Sequence, residues 1–325
     1  MPTFSGTLSR RNLLTLGGGL VSALAMSAPL RAAAPLRIVA TTGMIADAAR
    51  AIAGGGVQGL MGPGVDPHGY RQTRSDIAAL VRADLVLWHG LRLEAQLAGL
   101  METLQARGAV VAVAEAVDPL RLLRDPDYPD QPDPHIWMDP DLWLEAVARI
   151  EAAILDADPA RADMVAANAG AYRARIAAVQ DYARKVLETV PPEARVLVTA
   201  HDAFGYFGRA YGFEVEGLQG ISTDSEAGLS RIRELVDLLV ARGIRAVFVE
   251  SSVPDRAMRA LIEGAAAKGH AVIIGGELFS DAMGPEGSHE GTYPGMIDHN
   301  VTTIARALGG QAPDRGAFGK LASGT

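Results

Sequence analysis

Apolar and polar positions along this chain fall into blocks whose period keeps changing. "LRIVATT" (36–42) is a short β-branched run. "GMIADAARAIAG" after it spaces apolar residues at helical steps before a glycine stop, so a strand leading into a helix is expected. "VQGLMGPGV" then reads as a strand ending in a turn, and "QTRSDIAALVRA" as a helix with Thr73 or Ser75 as N-cap. "DLVLWHG" and "AVVAVAEA" (109–116) read as third and fourth strands. Strands separated by helices imply an α/β lobe with a largely parallel sheet.

A loop rich in Asp and Pro (117–134) leads to a helix opening near Pro140. From Pro159 to about Thr189 a single long helix is expected, with Met164, Ala167, Ala171, Ala174, Ala178, Tyr182 and Val186 forming a narrow apolar stripe. Its length suits a rigid connector; a crossover helix within one sheet is the alternative. Beyond "VPPEAR" the alternation restarts, with strands in "RVLVTA", "GFEVEGL", "IRAVFVE" and "HAVIIGG". Helices are expected in "EAGLSRIRELVDLLVARG", "DRAMRALIEGAAAKG" and the closing "TYPGMIDHNVTTIARAL". The expected fold is α/β: two (β/α) lobes with largely parallel four-stranded sheets, joined by one long backbone helix. The expected division is 1–34, 35–158 (first lobe), 159–190 (linking helix) and 191–325 (second lobe).

The first 34 residues are of another kind. They carry Arg10, Arg11 and Arg31 but no acid, then a modest apolar stretch from Leu13 to Ala28 and small residues at Ala32–Ala34. That is the build of a cleaved export signal rather than of folded structure. "SRRNLL" resembles a twin-arginine motif, with the general secretory route as the alternative. The chain of 325 residues has no cysteine, which excludes disulfides, thiolate metal sites, cysteine nucleophiles and a lipidated cysteine. The mature protein is therefore expected free in the periplasm, without a membrane anchor, and as a monomer. Loss of the three leader arginines takes the formal charge from −8 to −11, which argues against nucleic acid as a partner.

Four side chains stand at or near expected strand exits. His68 lies in "GVDPHGYRQT", His135 in "PDPHIWMDP", His201 in "TAHDAFGYFGRAYG" and Asp281 in "GGELFSDAMGP". Ligands of open α/β sheets bind beyond the carboxyl ends of strands, so these loops can converge on one cleft. Three imidazoles and one carboxylate suit a borderline divalent ion. The bland reading of His68, a solvated loop residue, stands beside this one. His89, His270, His289 and His299 read as structural. Asp66, Asp139 and Asp202 flank the candidate ligands and either orient an imidazole or cap a turn. Glu250 is either a base or orienting partner, or simple strand-end polarity. No nucleophile elbow, phosphate loop or dinucleotide fingerprint follows a strand.

Together, "GVDPHGYRQTRSDIAALVRADLVLWHGLRLE", "DPHIWMDP", "VTAHDAFGYFGRAYGFEVEGLQGIST", "VFVESSV" and "IGGELFSDAMG…GTYPGMIDHN" resemble the zinc/manganese-binding solute receptors of ABC transporters, of the TroA-like type. The resemblance spans nearly all of the chain after the leader. It implies two α/β lobes on one backbone helix, an ion in the cleft, and His68, His135, His201 and Asp281 as its ligands. It also implies delivery of Zn2+ or Mn2+, with Fe2+ as a further candidate, to the permease of an importer and through it to the ATPase. Two departures bear on the metal. The 117–134 loop has aspartates where zinc receptors of this type often have histidines, and His201 stands where many manganese receptors have Glu. A His3Asp site binds zinc more tightly than manganese when both are free. The alternatives are a zinc-dependent hydrolase using the same ligands, and an adhesion or interaction protein with a structural metal.

Overall fold

The structure, a computed structural model, describes residues 1–3, 36–106, 108–125 and 128–322. The expected export signal falls, beyond its first three residues, outside the described residues. Leu36–Thr325 forms one compact unit.

The first sheet contains β1 (Ile38–Ala40), β2 (Val57–Gly59), β3 (Leu85–Trp88) and β4 (Ala109–Ala112), ordered β2-β1-β3-β4. Every pairing is parallel, with Val39 opposite Gln58 on one side and Val86 on the other. The fully buried IVA of β1 is what a strand covered on both faces requires. Helices α1 (Gly43–Ala53), α2 (Arg74–Arg82), α3 (Ala98–Gln105) and α4 (Pro140–Ala157) accompany it. Thr73 caps α2 in a reciprocal box with Asp76.

After helix α5 (Ala162–Leu187) the second lobe contains β5 (Val196–His201), α6 (Gly205–Tyr211), β6 (Glu214–Gln219) and α7 (Leu229–Arg242). It ends with β7 (Ala246–Glu250), α8 (Arg256–Ala267), β8 (Ile273–Leu278) and α9 (Tyr293–Ala307). These strands pair in parallel two by two, β5 with β6 and β7 with β8. β5 and β7 run side by side, but no ladder joins them among the described residues, so the single four-stranded sheet expected here is divided. At their ends the main-chain N–H of His201 donates to the Glu250 carboxylate, 2.9 Å, instead of to a strand. Gly276, at φ 156°, lets α9 lie close on β8: a Cβ there would collide with Thr303 Cγ2.

Helix α5, at 26 residues, has the expected length, but the expected stripe has the wrong phase. The buried face is Val165, Ala169, Tyr172, Ile176, Val179, Ala183 and Val186, while Ala167, Ala171, Ala174 and Ala178 are exposed. Alanine favours helix on any face and buries little area. The larger residues therefore decide which face turns inward.

Helix α5 packs on α1 and α4 of the first lobe and on α9 of the second. Tyr172 donates to Asp47 Oδ2 at 2.7 Å, and the same oxygen accepts the main-chain N–H of Tyr293 from the second lobe at 2.9 Å. Tyr182 meets Thr302 Oγ1 at 2.8 Å. One hydrophobic core runs from Ile38 to Leu308 without a break between lobes, with Trp143 and Tyr293 rings 5.2 Å apart inside it. Such a junction resists hinging, because close-packed interiors deform little. No helix of the described residues is long and apolar enough to cross a membrane.

Candidate metal centre

All four candidate ligands converge. His68 lies in the turn after β2, His135 directly precedes a short 3-10 turn (Ile136–Met138) that leads into α4, His201 is the last residue of β5, and Asp281 follows β8. Four ligand atoms, one from each, lie within 4.8 Å of one another. His68 Nε2 is 3.3 Å from His135 Nε2 and 3.7 Å from Asp281 Oδ2. Asp281 Oδ1 is 3.3 Å from His135 Nε2, and its Oδ2 is 3.1 Å from His201 Nε2. Nitrogen and oxygen donors set tetrahedrally at about 2.0–2.2 Å from one ion are roughly 3.3–3.6 Å apart. The separations here, 3.1–3.7 Å, straddle that range.

All four residues are buried, His68 at 4% exposure being the most open. The solvated-loop reading of His68 is thereby overturned: the turn folds inward between the lobes. His201 Nε2 and both Asp281 oxygens are buried without a hydrogen-bond partner. His201 Nε2 and Asp281 Oδ2 face one another at 3.1 Å but without hydrogen-bonding angles. Buried polar atoms left without a partner are costly, and a cation among them satisfies all three at once.

Neighbouring groups aim the rings. Glu250 accepts from the His201 main chain at 2.9 Å and faces its Nδ1 at 2.5 Å. Asp133 does the same for His135, at 2.9 Å to the main-chain N and 2.8 Å to Nδ1. A carboxylate on Nδ1 turns Nε2 toward an ion and makes it a better donor. Trp137 Nε1, two residues from His135, donates to Ser280 O at 2.9 Å and so ties the Asp281 loop to the first lobe.

Charge follows from these neighbours. Burial works against protonating His135, but Asp133 and Asp281 outweigh it and raise its pKa to about 9. Burial is likewise outweighed at His201, where Glu250 and Asp281 hold the pKa well above the usual imidazole range. Burial would raise Asp281, yet His201 and His135 keep its carboxyl well below the ordinary value. His68 has less compensation, and burial takes it down to about 4.

The remaining histidines are structural, as expected. His89 Nε2 meets Pro134 O at 2.7 Å and its ring packs edge-on to Trp137. His270 meets Ile244 O at 2.6 Å, His289 meets Asp298 Oδ2 at 3.0 Å, and His299 meets Glu277 O at 2.9 Å. Glu250 proves to be the orienting partner, both of its oxygens being engaged by His201. Asp139 caps α4 through Asp141 N, 3.0 Å, and Asp66 caps its own turn through His68 N, 2.8 Å. Asp202 makes no hydrogen bond to an imidazole among the described residues; burial raises its pKa to about 6. Asp133 was missed. A signal for it existed, since Asp66-Pro67-His68 recurs as Asp133-Pro134-His135.

A two-lobed α/β protein that brings three imidazoles and a carboxylate together, buried between its lobes, presents a donor set that could hold a metal ion. The family profile "ZnuA: Zinc-uptake complex component A periplasmic" matches residues 38–307, and the chain belongs to that family. It is 48% identical over 275 residues to the manganese-binding lipoprotein MntA of Bacillus subtilis, covering 84% of this chain and 90% of that protein. It is 45% identical to the zinc-binding protein TroA of Treponema pallidum, covering 83% of this chain and 88% of that protein. The solved structure of that periplasmic zinc-binding protein superposes with a TM-score of 0.82, covering 84% of this chain and 99% of that one. The iron-binding protein YfeA of Yersinia pestis is 32% identical, covering 89% of this chain and 91% of that protein.

Proposed function

We propose that this protein is a periplasmic receptor that captures a divalent transition-metal ion through His68, His135, His201 and Asp281. It hands the ion to the permease of an inner-membrane ABC importer, whose ATPase drives uptake. The observation that carries this reading is the closed donor set with its orphaned atoms at His201 Nε2 and Asp281. Four protein donors replace the ion's water shell, and the imidazoles bind only when neutral, so capture weakens in acid. The chain divides on this reading into an export signal (1–34), a first lobe (35–158), the linking helix (159–190) and a second lobe (191–325).

Relatives are named for manganese, zinc and iron. The N3O donor set favours zinc over manganese wherever both are free, so the ion carried in the cell depends on supply as well as on the site. A hydrolase is disfavoured on two counts. A catalytic ion keeps a position open for water, and Glu250, the candidate base, is occupied by His201. The family is one of non-catalytic binding proteins.

The test is anaerobic competition of Zn2+ against Mn2+ on metal-stripped protein, beside His201→Glu. One ion per chain with a zinc preference that weakens in the variant is expected. Absence of stoichiometric binding of either ion overturns the reading.

A further inference from the structure

Two candidate ligands sit in the same tripeptide, yet the structure uses the two copies differently. In Asp66-Pro67-His68 and Asp133-Pro134-His135, the aspartate accepts the main-chain N–H of its histidine, at 2.8 and 2.9 Å. Asp133 Oδ1 also meets Nδ1 of the His135 ring at 2.8 Å, which fixes that ring in place. Asp66 turns its second oxygen away from its histidine. That Oδ2 accepts from Thr223 Oγ1 at 2.5 Å, across the cleft on the segment after β6.

His68 is also where the cluster meets the outside. It is the one candidate ligand that lines an open cavity of about 720 Å³, whose walls include Trp88, Glu102, Glu115, Ile221 and Asp224. Its turn is built to bend: Gly64 holds φ +70°, a conformation suited to glycine, and the exposed Gly62 and Gly69 flank the rest. Thr223 is half-buried in a segment, 222–226, that is otherwise exposed. The other three ligands have no comparable freedom, because Asp133, Glu250 and the Trp137–Ser280 bond hold them.

We propose that the Thr223–Asp66 hydrogen bond is a latch across the cleft mouth, and that Thr223 is a positioning residue for His68. While the bond is made, the 64–69 turn is held inward with the His68 ring against the ion. When it parts, His68 swings toward the cavity and the ion leaves by that side, with the other three donors still in place. The latch presupposes the four-ligand reading above.

The experiment follows Zn2+ release from loaded full-length mature protein into excess chromogenic chelator by stopped flow, for wild type, Thr223→Val and Thr223→Ser. Valine keeps the shape and removes the donor; serine restores it. Losing a hydrogen bond to a charged group corresponds to a factor of roughly 10 or more. Thr223→Val is expected to release Zn2+ about tenfold faster with the association rate unchanged, and Thr223→Ser to return release to the wild-type value. Equal release rates in wild type and Thr223→Val, or acceleration that serine does not reverse, overturn the latch. Thermal unfolding of the metal-free variants confirms that they fold. Failure of wild type itself to take up Zn2+ would instead overturn the four-ligand reading, so the two failures are distinguishable.

Discussion

The two lobes meet on two sides of the ion cluster, and the two sides are built from different materials. On the side of α5 a continuous core crosses from lobe to lobe. There Asp47 joins Tyr172 to the main chain of Tyr293, and Trp143 packs on the Tyr293 ring. On the opposite side, at the His68 turn, the crossing is a hydrogen bond between half-buried Asp66 and Thr223. Apolar burial over many residues resists opening far more than one partly exposed hydrogen bond to a charged group, worth about 1.5–3 kcal/mol. The difference teaches where such a receptor can move. The lobes stay docked and the mouth opens, so wide hinge closure of the kind seen when domains share only a small interface is not expected here.

Four substitutions sharpen this contrast. Asp281→Ala removes the one negative donor and leaves three imidazoles facing a cation alone. Metal affinity should fall by far more than the roughly 10–100-fold expected from losing an orienting partner. The stabilisation that saturating Zn2+ gives wild type, about 4 kcal/mol at a thousandfold excess over Kd, should vanish; thermal unfolding with and without Zn2+ reads both. Trp143→Ala attacks the docked side. It should cost about 3–5 kcal/mol of stability in the metal-free protein, measured by denaturant unfolding, because Trp143 is fully buried in the shared core.

Glu250→Gln and Asp133→Asn should each lower metal affinity by about 10–100-fold while leaving the fold intact, as read by chelator competition. A smaller effect concerns pH. Burial takes His89 from 6.5 down to about 3, against the pull of its bond to Pro134 O. Folded protein thus refuses a proton that unfolded chain accepts, so this contribution is full above pH 6.5 and is lost as pH falls toward 3. Denaturant midpoints of metal-free protein should show the advantage of wild type over His89→Gln shrinking between pH 6.5 and 4. A constant difference would contradict the assignment.

Much of this architecture was legible in the sequence because period, caps and glycine stops act locally. Strand–helix alternation located β1, α1, α2, β3 and the second-lobe elements other than α6, and the length of α5 followed from its helical spacing. What went unread depends on neighbours distant in sequence. The buried face of α5 is chosen by α1, α4 and α9, against which Val165, Ile176 and Val179 offer more area than the alanines do. Helices α3 and α6 were overlooked: "AGLMETLQ" is only two turns, and "GYFGRAY" carries two glycines that propensity counts against. The four-ligand set was visible through strand exits and family resemblance. Its orienting carboxylates were only half visible. Glu250 stood at a strand end, but Asp133 was hidden among the acids of its loop, although the repeated Asp-Pro-His pointed to it. The division of the second sheet into two ladders depends on pairing between strands, which no local pattern encodes.

The most direct test of a docked spine and an opening mouth is amide hydrogen exchange on metal-stripped and Zn2+-loaded protein, compared peptide by peptide. Protection gained with Zn2+ should concentrate in 60–72 and 220–226 and at the ligand loops, while α1, α4, α5 and α9 exchange equally slowly in both states. Loss of protection along α5 and α9 in the metal-free protein would mean that the lobes part at the spine, and would contradict the account.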